Sequence, residues 1–154
     1  MVSITMFHAG DATNVIPHTA QLNGTVRTLD PKVRELVGRR VREVVDGVAA
    51  LTGARINLDY QTGYPVLVNH AAQTDIAARV ASEIAGARNV ISDAPPMLGA
   101  EDFAFMLQDK PGAFIFIGNG DSAGLHHPAY NFDDDAIVYG TSYWIRLVET
   151  QLAA

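Results

Sequence analysis

The sequence predicts a mixed α/β (α+β) fold in which antiparallel strands are backed by helices on one face. Three observations support this fold class. Short segments near the amino terminus alternate apolar and polar residues, as half-buried strands do. Longer segments repeat apolar residues every three or four positions, as amphipathic helices do. Residues 113–117 form an apolar run without alternation, which is typical of a strand covered on both faces.

The first part of the chain has the predicted order strand, strand, helix, strand. Residues 2–7 alternate in period two, and a second strand is predicted from about 18 to 29. Asp30-Pro31 predicts the start of a helix, with an N-cap and a first-turn proline, and Gly53 predicts its end. Residues 56–60 alternate again, which predicts a third strand.

The second part is predicted to mix short strands with helices. Breaks at Gly63 and Pro65 place a domain boundary near residues 65–70. The elements expected after it are a helix at 71–85, a brief strand at 89–92, a short helix at 101–108, the strand at 113–117 and a final helix from about 134 to 152.

The composition excludes several classes of function. The 154 residues suffice for one domain of typical size or two small ones. The net charge of −6 disfavours binding to nucleic acid or to anionic membranes, because both need a basic surface. The absence of cysteine excludes disulfides, thiolate metal sites and cysteine nucleophiles. No leader peptide and no membrane span is predicted, so we expect a cytoplasmic protein.

Two adjacent histidines are the clearest candidates for chemistry. His126 and His127 follow the predicted strand 113–117 by one glycine-rich loop. Ligands gather at the carboxyl ends of strands in α/β sheets, and neutral imidazole is a common ligand of zinc-like ions. Neighbouring side chains diverge, so we expect at most one of the two to bind a metal directly. The residues alone leave open that both are ordinary loop histidines.

Other polar residues each have a functional and a structural interpretation. Glu101 opens a short helix, where a carboxylate complements the helix dipole with or without a ligand nearby. Arg27 lies on the polar face of its strand, and its guanidinium suits a carboxylate ligand. Solvation or a pair with Asp59 explains Arg27 equally well. Asn14 lies in a turn, where asparagine is common for local reasons.

Several short motifs occur in an order that resembles a known family. The similarity extends over nearly the whole chain, to the C-terminal part of the co-catalytic metal amidohydrolases. That family includes hippurate hydrolase, N-acyl-amino-acid amidohydrolases and auxin-conjugate hydrolases. The motifs are Asn14-Val15-Ile16-Pro17, Gly24-Thr25-Val26-Arg27-Thr28, Tyr64-Pro65 with Asn69, Gly99-Ala100-Glu101-Asp102-Phe103, Pro111-Gly112-Ala113-Phe114, and Leu125-His126-His127-Pro128 with Tyr130 and Phe132.

The resemblance implies a domain organisation. Residues 1–68 would form a ferredoxin-like lid or dimerisation domain that lacks its first helix, and residues 69–154 the C-terminal portion of the catalytic domain. The lid separates the two halves of the catalytic domain in this family. The second part of this chain would therefore be an incomplete α/β catalytic remnant.

The resemblance also assigns site residues. His126 matches a metal ligand, Asn14 and Arg27 match residues that hold the substrate carboxylate, and Glu101 matches a residue that lines the same site. The cofactor of the intact family is a divalent metal (zinc, manganese, cobalt or nickel). Whether this chain binds one by itself is left open.

The sequence also departs from the family. The other metal ligands and the glutamate general base have no counterpart here, so no catalytic residue is assigned. We therefore expect a fragment of a hydrolase that cleaves N-acyl amino acids such as hippurate and that is inactive alone. This leaves open whether the chain is itself an enzyme.

Two alternatives to the hydrolase fragment remain. One is a non-catalytic dimerisation or small-molecule-binding module, and the other is an unrelated ferredoxin-like regulatory domain that binds amino acids. Whichever interpretation holds, the low charged fraction of 18% predicts an exposed apolar patch. We therefore expect a homo-oligomer, formed through the lid or through the uncovered catalytic remnant.

Overall fold

The computed structural model describes residues 1–152 and places them in two compact units. One unit comprises Met1–Val66 with Pro96–Asp102, and the other comprises Leu67–Pro95 with the residues from Phe103 onward. The predicted mixed α/β class is confirmed. The elements are β1 (Val2–Ala9), β2 (Ala20–Val26), α1 (Pro31–Thr52), α2 (Ala71–Ala85), a short 3-10 helix (Ala87–Asn89), α3 (Phe103–Asp109) and α4 (Asp135–Gln151). The assignment of a lid and a catalytic portion stays a prediction.

The first unit begins with an antiparallel pair of strands. In its register Val2 lies opposite Val26. Beyond this pair the Met1 ammonium donates to the carbonyl oxygen of Arg27 at 2.8 Å, and the Arg27 amide donates back to Met1 at 2.9 Å. The ladder thus extends past the end of β2 and fixes the backbone of Arg27.

Helix α1 begins and ends where the sequence predicts. The Asp30 carboxylate accepts hydrogen bonds from the amides of Lys32 at 2.7 Å and Val33 at 3.1 Å, and so satisfies two amides that have no partner within the helix. Pro31 occupies the first turn. Gly53 ends the helix in the left-handed region, at φ 71°.

The predicted third strand at residues 56–60 is not formed. This segment joins no ladder, because the sheet of the described chain contains only β1 and β2. It packs against α1 instead. The Arg42 guanidinium lies 5.4 Å from the centre of the Tyr60 ring, and a Cβ at Gly38 would lie 3.4 Å from that ring.

The second unit has a small core between two helices. Ala77 and Val80 on α2 and Tyr143 on α4 are its buried residues, and Val80 is fully inaccessible to solvent. Ala113 and Ile115 from the segment between α3 and α4 pack against them. Residues 71–85 and 135–151 are helical, as the apolar stripes predict.

The other two strand predictions in this unit are wrong. The 3-10 helix Ala87–Asn89 reaches into the region expected as a strand at 89–92. Residues 113–117 belong to no ladder in the described part of the chain. The apolar pattern of this segment alone could not specify a ladder, since a strand needs a neighbouring backbone with which to form hydrogen bonds.

Both units expose much apolar surface. The accessible area is 12472 Å². A folded chain of this mass exposes about 7,500 Å², and two separate domains of half the mass expose about 9,100 Å² together. Only five hydrophobic residues in the described chain are buried. None of its helices combines the length and the apolar character that crossing a membrane requires.

Candidate functional site

The loop that carries the paired histidines is held closed by one side chain. We call residues 118–134 the His126 loop. Near its start, the Asn119 amide donates to the carbonyl oxygen of Asn131 at 2.7 Å and to the Ser122 hydroxyl at 2.8 Å. The Asn119 oxygen accepts from the amide of Asp133 at 2.8 Å. Asn119 therefore joins the two ends of the loop just ahead of α4.

His127 bonds within its own turn. Its ring nitrogen Nδ1 accepts from the amide of Ala129 at 3.0 Å, and its carbonyl oxygen accepts from Tyr130 at 2.9 Å. Its own amide donates to Gly124 at 3.1 Å. These bonds give His127 a local role in shaping the turn.

His126 differs from its neighbour in backbone and surroundings. It has φ 68° and is the one non-glycine residue with positive φ among residues 1–152. Such a conformation is unfavourable for a side chain with a Cβ, and it is enriched at functional sites. The His126 side chain is exposed and forms no hydrogen bond or ion pair within the described chain. The backbone therefore presents this imidazole to solvent.

No complete metal centre is present in the described chain. Across residues 1–152, no three His, Asp or Glu side chains lie close enough to hold a metal ion. A single imidazole with solvent is a weak site, since catalytic zinc takes three protein ligands. The metal role of His126 stays a prediction.

The residues expected to bind the substrate all lie in the first unit. Asn14 is exposed in the loop between β1 and β2, and Arg27 is half-buried directly after β2. Arg27 does not pair with Asp59, whose carboxylate accepts instead from the Gln61 amide at 3.0 Å. Glu101 is half-buried in the segment that precedes α3. His126 belongs to the second unit.

An apolar groove of about 360 Å³ lies in the second unit beside the His126 loop. Tyr130 and Phe132 from the loop line it, together with Ile117 and with Trp144 on α4. Trp144 is 62% exposed, so this groove is an open surface. Sequence reasoning missed both the groove and the clamp at Asn119. The flanking glycines Gly118 and Gly120 signal a turn there but not its partners.

A second side-chain amide holds the segment that leads to this loop. The Asn69 amide donates to the carbonyl oxygen of Phe114 at 2.9 Å, and the Asn69 oxygen accepts from the Phe114 amide at 2.8 Å. The His70 amide donates to Gly112 at 3.0 Å. Asn69 accompanies the Tyr64-Pro65 motif, but the sequence gives no sign of this contact, because its partner lies 45 positions away.

Known protein families and sequences resemble this chain over most of its length. The profile described as peptidase family M20/M25/M40 matches residues 5–150. Hippurate hydrolase of Campylobacter jejuni is 32% identical over 147 residues, which are 96% of this chain and 38% of that enzyme. N-acetylcysteine deacetylase of Bacillus subtilis is 33% identical over 147 residues, again 96% of this chain and 38% of the relative.

A solved structure matches as well. The Bacillus subtilis YxeP protein, described as a dinuclear metal-binding peptidase of the M20 family, superposes with a TM-score of 0.75 at 33% identity. The match covers 98% of this chain and 41% of that protein. The chain thus spans about two fifths of the length of these similar proteins.

Proposed function

Because this chain belongs to the M20/M25/M40 peptidase family, we propose that it is the carboxyl-terminal part of a metal-dependent amidohydrolase that cleaves N-acyl amino acids. The observation that carries the proposal is the family match over residues 5–150. Hippurate hydrolase and N-acetylcysteine deacetylase are named for the removal of an acyl group from an amino acid. Hippurate-like amides are therefore the proposed substrates of the assembled enzyme.

In this proposal the first unit binds the carboxylate of the substrate. The Arg27 guanidinium offers parallel N–H donors that match a carboxylate in a bidentate pair. Its backbone is fixed by the ladder with Met1, which limits where the side chain can reach. Asn14 supplies a further donor from the loop between the strands, and Glu101 lines the same site.

His126 would supply one ligand to the metal centre. Its exposed ring and left-handed backbone support this role, as such conformations persist where function requires them. The residues of this chain do not by themselves fit a dinuclear site, because no trio of donors meets within residues 1–152. We therefore assign no reaction step to this chain alone and expect it to be inactive.

The activity test uses the pure 154-residue chain with hippurate and with zinc or manganese. We expect no release of glycine above the rate without protein, because the other metal ligands and the general base have no counterpart in this chain. Hippurate hydrolase of Campylobacter jejuni, assayed in parallel, is the positive control. Metal-dependent hydrolysis by this chain would contradict its proposed inactivity.

The carboxylate role is tested by binding. We expect hippurate to bind the chain weakly in calorimetry, and Arg27→Ala to weaken that binding by about tenfold to a hundredfold, which corresponds to a charged hydrogen bond of about 1.5–3 kcal/mol. Arg27→Lys should not restore affinity, because an ammonium cannot form the bidentate pair. Arg55→Ala in the same unit is the matched control. Equal affinities of Arg27→Ala and the unaltered chain would refute the assignment.

The second candidate is a non-catalytic dimerisation module, and one observation favours it. β1 carries no aspartate, glutamate, lysine or arginine and pairs only with β2 in the described residues, so its outer edge is open to another strand. We expect a dimer in sedimentation equilibrium and a shift toward monomer with Phe7→Lys, since Phe7 is 64% exposed. A monomer at all concentrations would remove this candidate.

A further inference from the structure

The segment 113–117 has the side-chain arrangement of a β-strand but only one covered face. Ala113 and Ile115 point to α2 and α4 and pack against their core. The alternate residues Phe114 and Phe116 point the other way, and the centres of their rings lie 5.1 Å apart in an edge-to-face arrangement. Phe116 is 68% exposed. Phe114 is half-buried, with its ring centre 5.9 Å from that of Phe103, so the second face is aromatic and is uncovered mainly at Phe116.

The two backbone edges of this segment also differ. The amide and carbonyl groups of Gly112 and Phe114 point to one edge, where His70 and the Asn69 side chain bond them. The groups of Ala113, Ile115 and Ile117 point to the opposite edge, and they make no hydrogen bond to any described residue. The first edge is thus closed at Gly112 and Phe114, Phe116 on that edge makes no hydrogen bond to a described residue, and the opposite edge is open.

Nothing in the sequence protects this open edge from water or from other chains. Residues 111–120 contain no charged side chain, and only Lys110 and Asp121 flank them. Strands that face solvent in natural proteins are shielded by charges, prolines or bulges along the strand. The lack of any such device between Gly112 and Gly118 indicates a strand that is paired in its functional state.

We propose that residues 113–117 are a docking strand for the remaining part of an M20 fold, which adds a β-strand along Ala113, Ile115 and Ile117 and covers Phe114 and Phe116. This inference rests on the proposal that the chain is the carboxyl-terminal part of such an enzyme. The match with the M20 peptidase covers 98% of this chain at a TM-score of 0.75 and leaves about three fifths of that protein outside it.

The exposed area favours this occupant over a second copy of the chain. The observed accessible area of 12472 Å² exceeds even the area expected for two separate domains by about 3,400 Å². A standard interface covers only about 800 Å² on each partner. Pairing two short strands edge to edge would leave most of the excess exposed, whereas adding a large part of a fold would not.

Amide hydrogen exchange of the 154-residue chain alone gives the first test. The Phe114 amide is bonded to Asn69, so it serves as an internal reference for Ile115 and Ile117. We expect Ile115 and Ile117 to exchange at least about tenfold faster than Phe114 at every protein concentration. Equal protection of all three amides in dilute solution would overturn the open edge. Protection that rises with concentration would assign the edge to a second copy and overturn the proposed occupant.

The second test supplies the missing part of the fold. The portion of Campylobacter jejuni hippurate hydrolase outside the matched region is joined ahead of Met1 of the full chain. We expect exchange at Ile115 and Ile117 to slow to the rate of Phe114. Phe116→Lys should restore fast exchange, and the matched control Ile91→Lys, at a residue 77% exposed and outside the strand, should not. A chimera that leaves these amides as fast as in the chain alone refutes the docking strand.

The same chimera separates this inference from the proposed function. Exchange is measured without metal or substrate, so slowed exchange supports the docking strand whatever the activity. If the strand becomes protected and hippurate is still not hydrolysed, only the proposed function fails. If hydrolysis occurs while Ile115 and Ile117 stay unprotected, only the docking strand fails.

Discussion

Single side chains connect distant parts of the second unit. Asn69 satisfies both the donor and the acceptor of Phe114 with one amide, as a residue of a neighbouring strand would do with its backbone. Loss of one member of a partly buried polar pair destabilises the fold, because the remaining group then has no hydrogen-bond partner. The position of the 113–117 segment therefore depends on a residue outside any helix or strand.

We expect Asn69→Ala to lower the free energy of unfolding by about 1–3 kcal/mol, because it leaves the amide and carbonyl of Phe114 unpaired. Asn69→Asp should not rescue the loss, since a carboxylate can accept from the Phe114 amide but cannot donate to its carbonyl. Urea unfolding measures both effects, with Asn57→Ala, an exposed residue of the first unit, as the control. A loss equal to that of the control would disprove the clamp.

Tyr143 gives a prediction on pH. Burial raises the pKa of Tyr143 above its ordinary value of 10.0, because the anion is poorly solvated in the core. The folded chain thus favours the neutral phenol. The contribution of this pKa difference to the free energy of unfolding is fully present below pH 10.0 and is lost as the pH rises through the pKa of Tyr143 in the folded chain. Tyr143→Phe should remove this alkaline loss.

Urea midpoints at about pH 8 and about pH 11 measure the difference, since lysines and arginines titrate alike in both proteins. The unaltered chain should lose more stability over this interval than Tyr143→Phe does. Equal losses would show that the phenol ionises as readily in the folded chain as in the unfolded one.

At the scale of elements, the sequence predicted helices well and isolated strands poorly. Helix α1 follows from signals within its own segment, namely the Asp30 cap, Pro31 and Gly53. The segments 56–60 and 113–117 have strand patterns, but a ladder also requires a second backbone, which no local pattern encodes. For the same reason the clamps at Asn69 and Asn119 were not predictable, because each joins residues far apart in sequence.

Two glycines of α1 form a matched pair for testing its packing. Gly47 has no atom within 4 Å of an added Cβ, so Gly47→Ala should stabilise the chain by about 0.5–1 kcal/mol through helix propensity alone. An added Cβ at Gly38 would meet the Tyr60 ring at 3.4 Å, an ordinary van der Waals contact, so Gly38→Ala should gain more than Gly47→Ala does. Thermal unfolding compares the two. An equal gain at both positions would mean that Tyr60 does not pack on α1 in solution.

At the scale of the whole molecule, the large exposed area predicts unusual thermodynamics of unfolding. From the observed 12472 Å², unfolding exposes roughly 70% of the area that it exposes in an ordinary chain of this mass. The heat capacity change of unfolding follows this area. We expect it to be about 70% of the usual 12–15 cal/mol/K per residue. Calorimetry in dilute solution is the measurement, and a value within the usual range would indicate that the apolar faces are covered in solution.

The contact between Met1 and Arg27 has a practical consequence for anyone who purifies this protein. An affinity tag or an acetyl group on the amino terminus converts the Met1 ammonium to an amide, which keeps a single hydrogen for the carbonyl oxygen of Arg27 and loses the charge beside it. Residues of such a tag would also lie next to Arg27, which is proposed to bind the substrate carboxylate. Calorimetric titrations are therefore best made on protein released from a carboxyl-terminal tag.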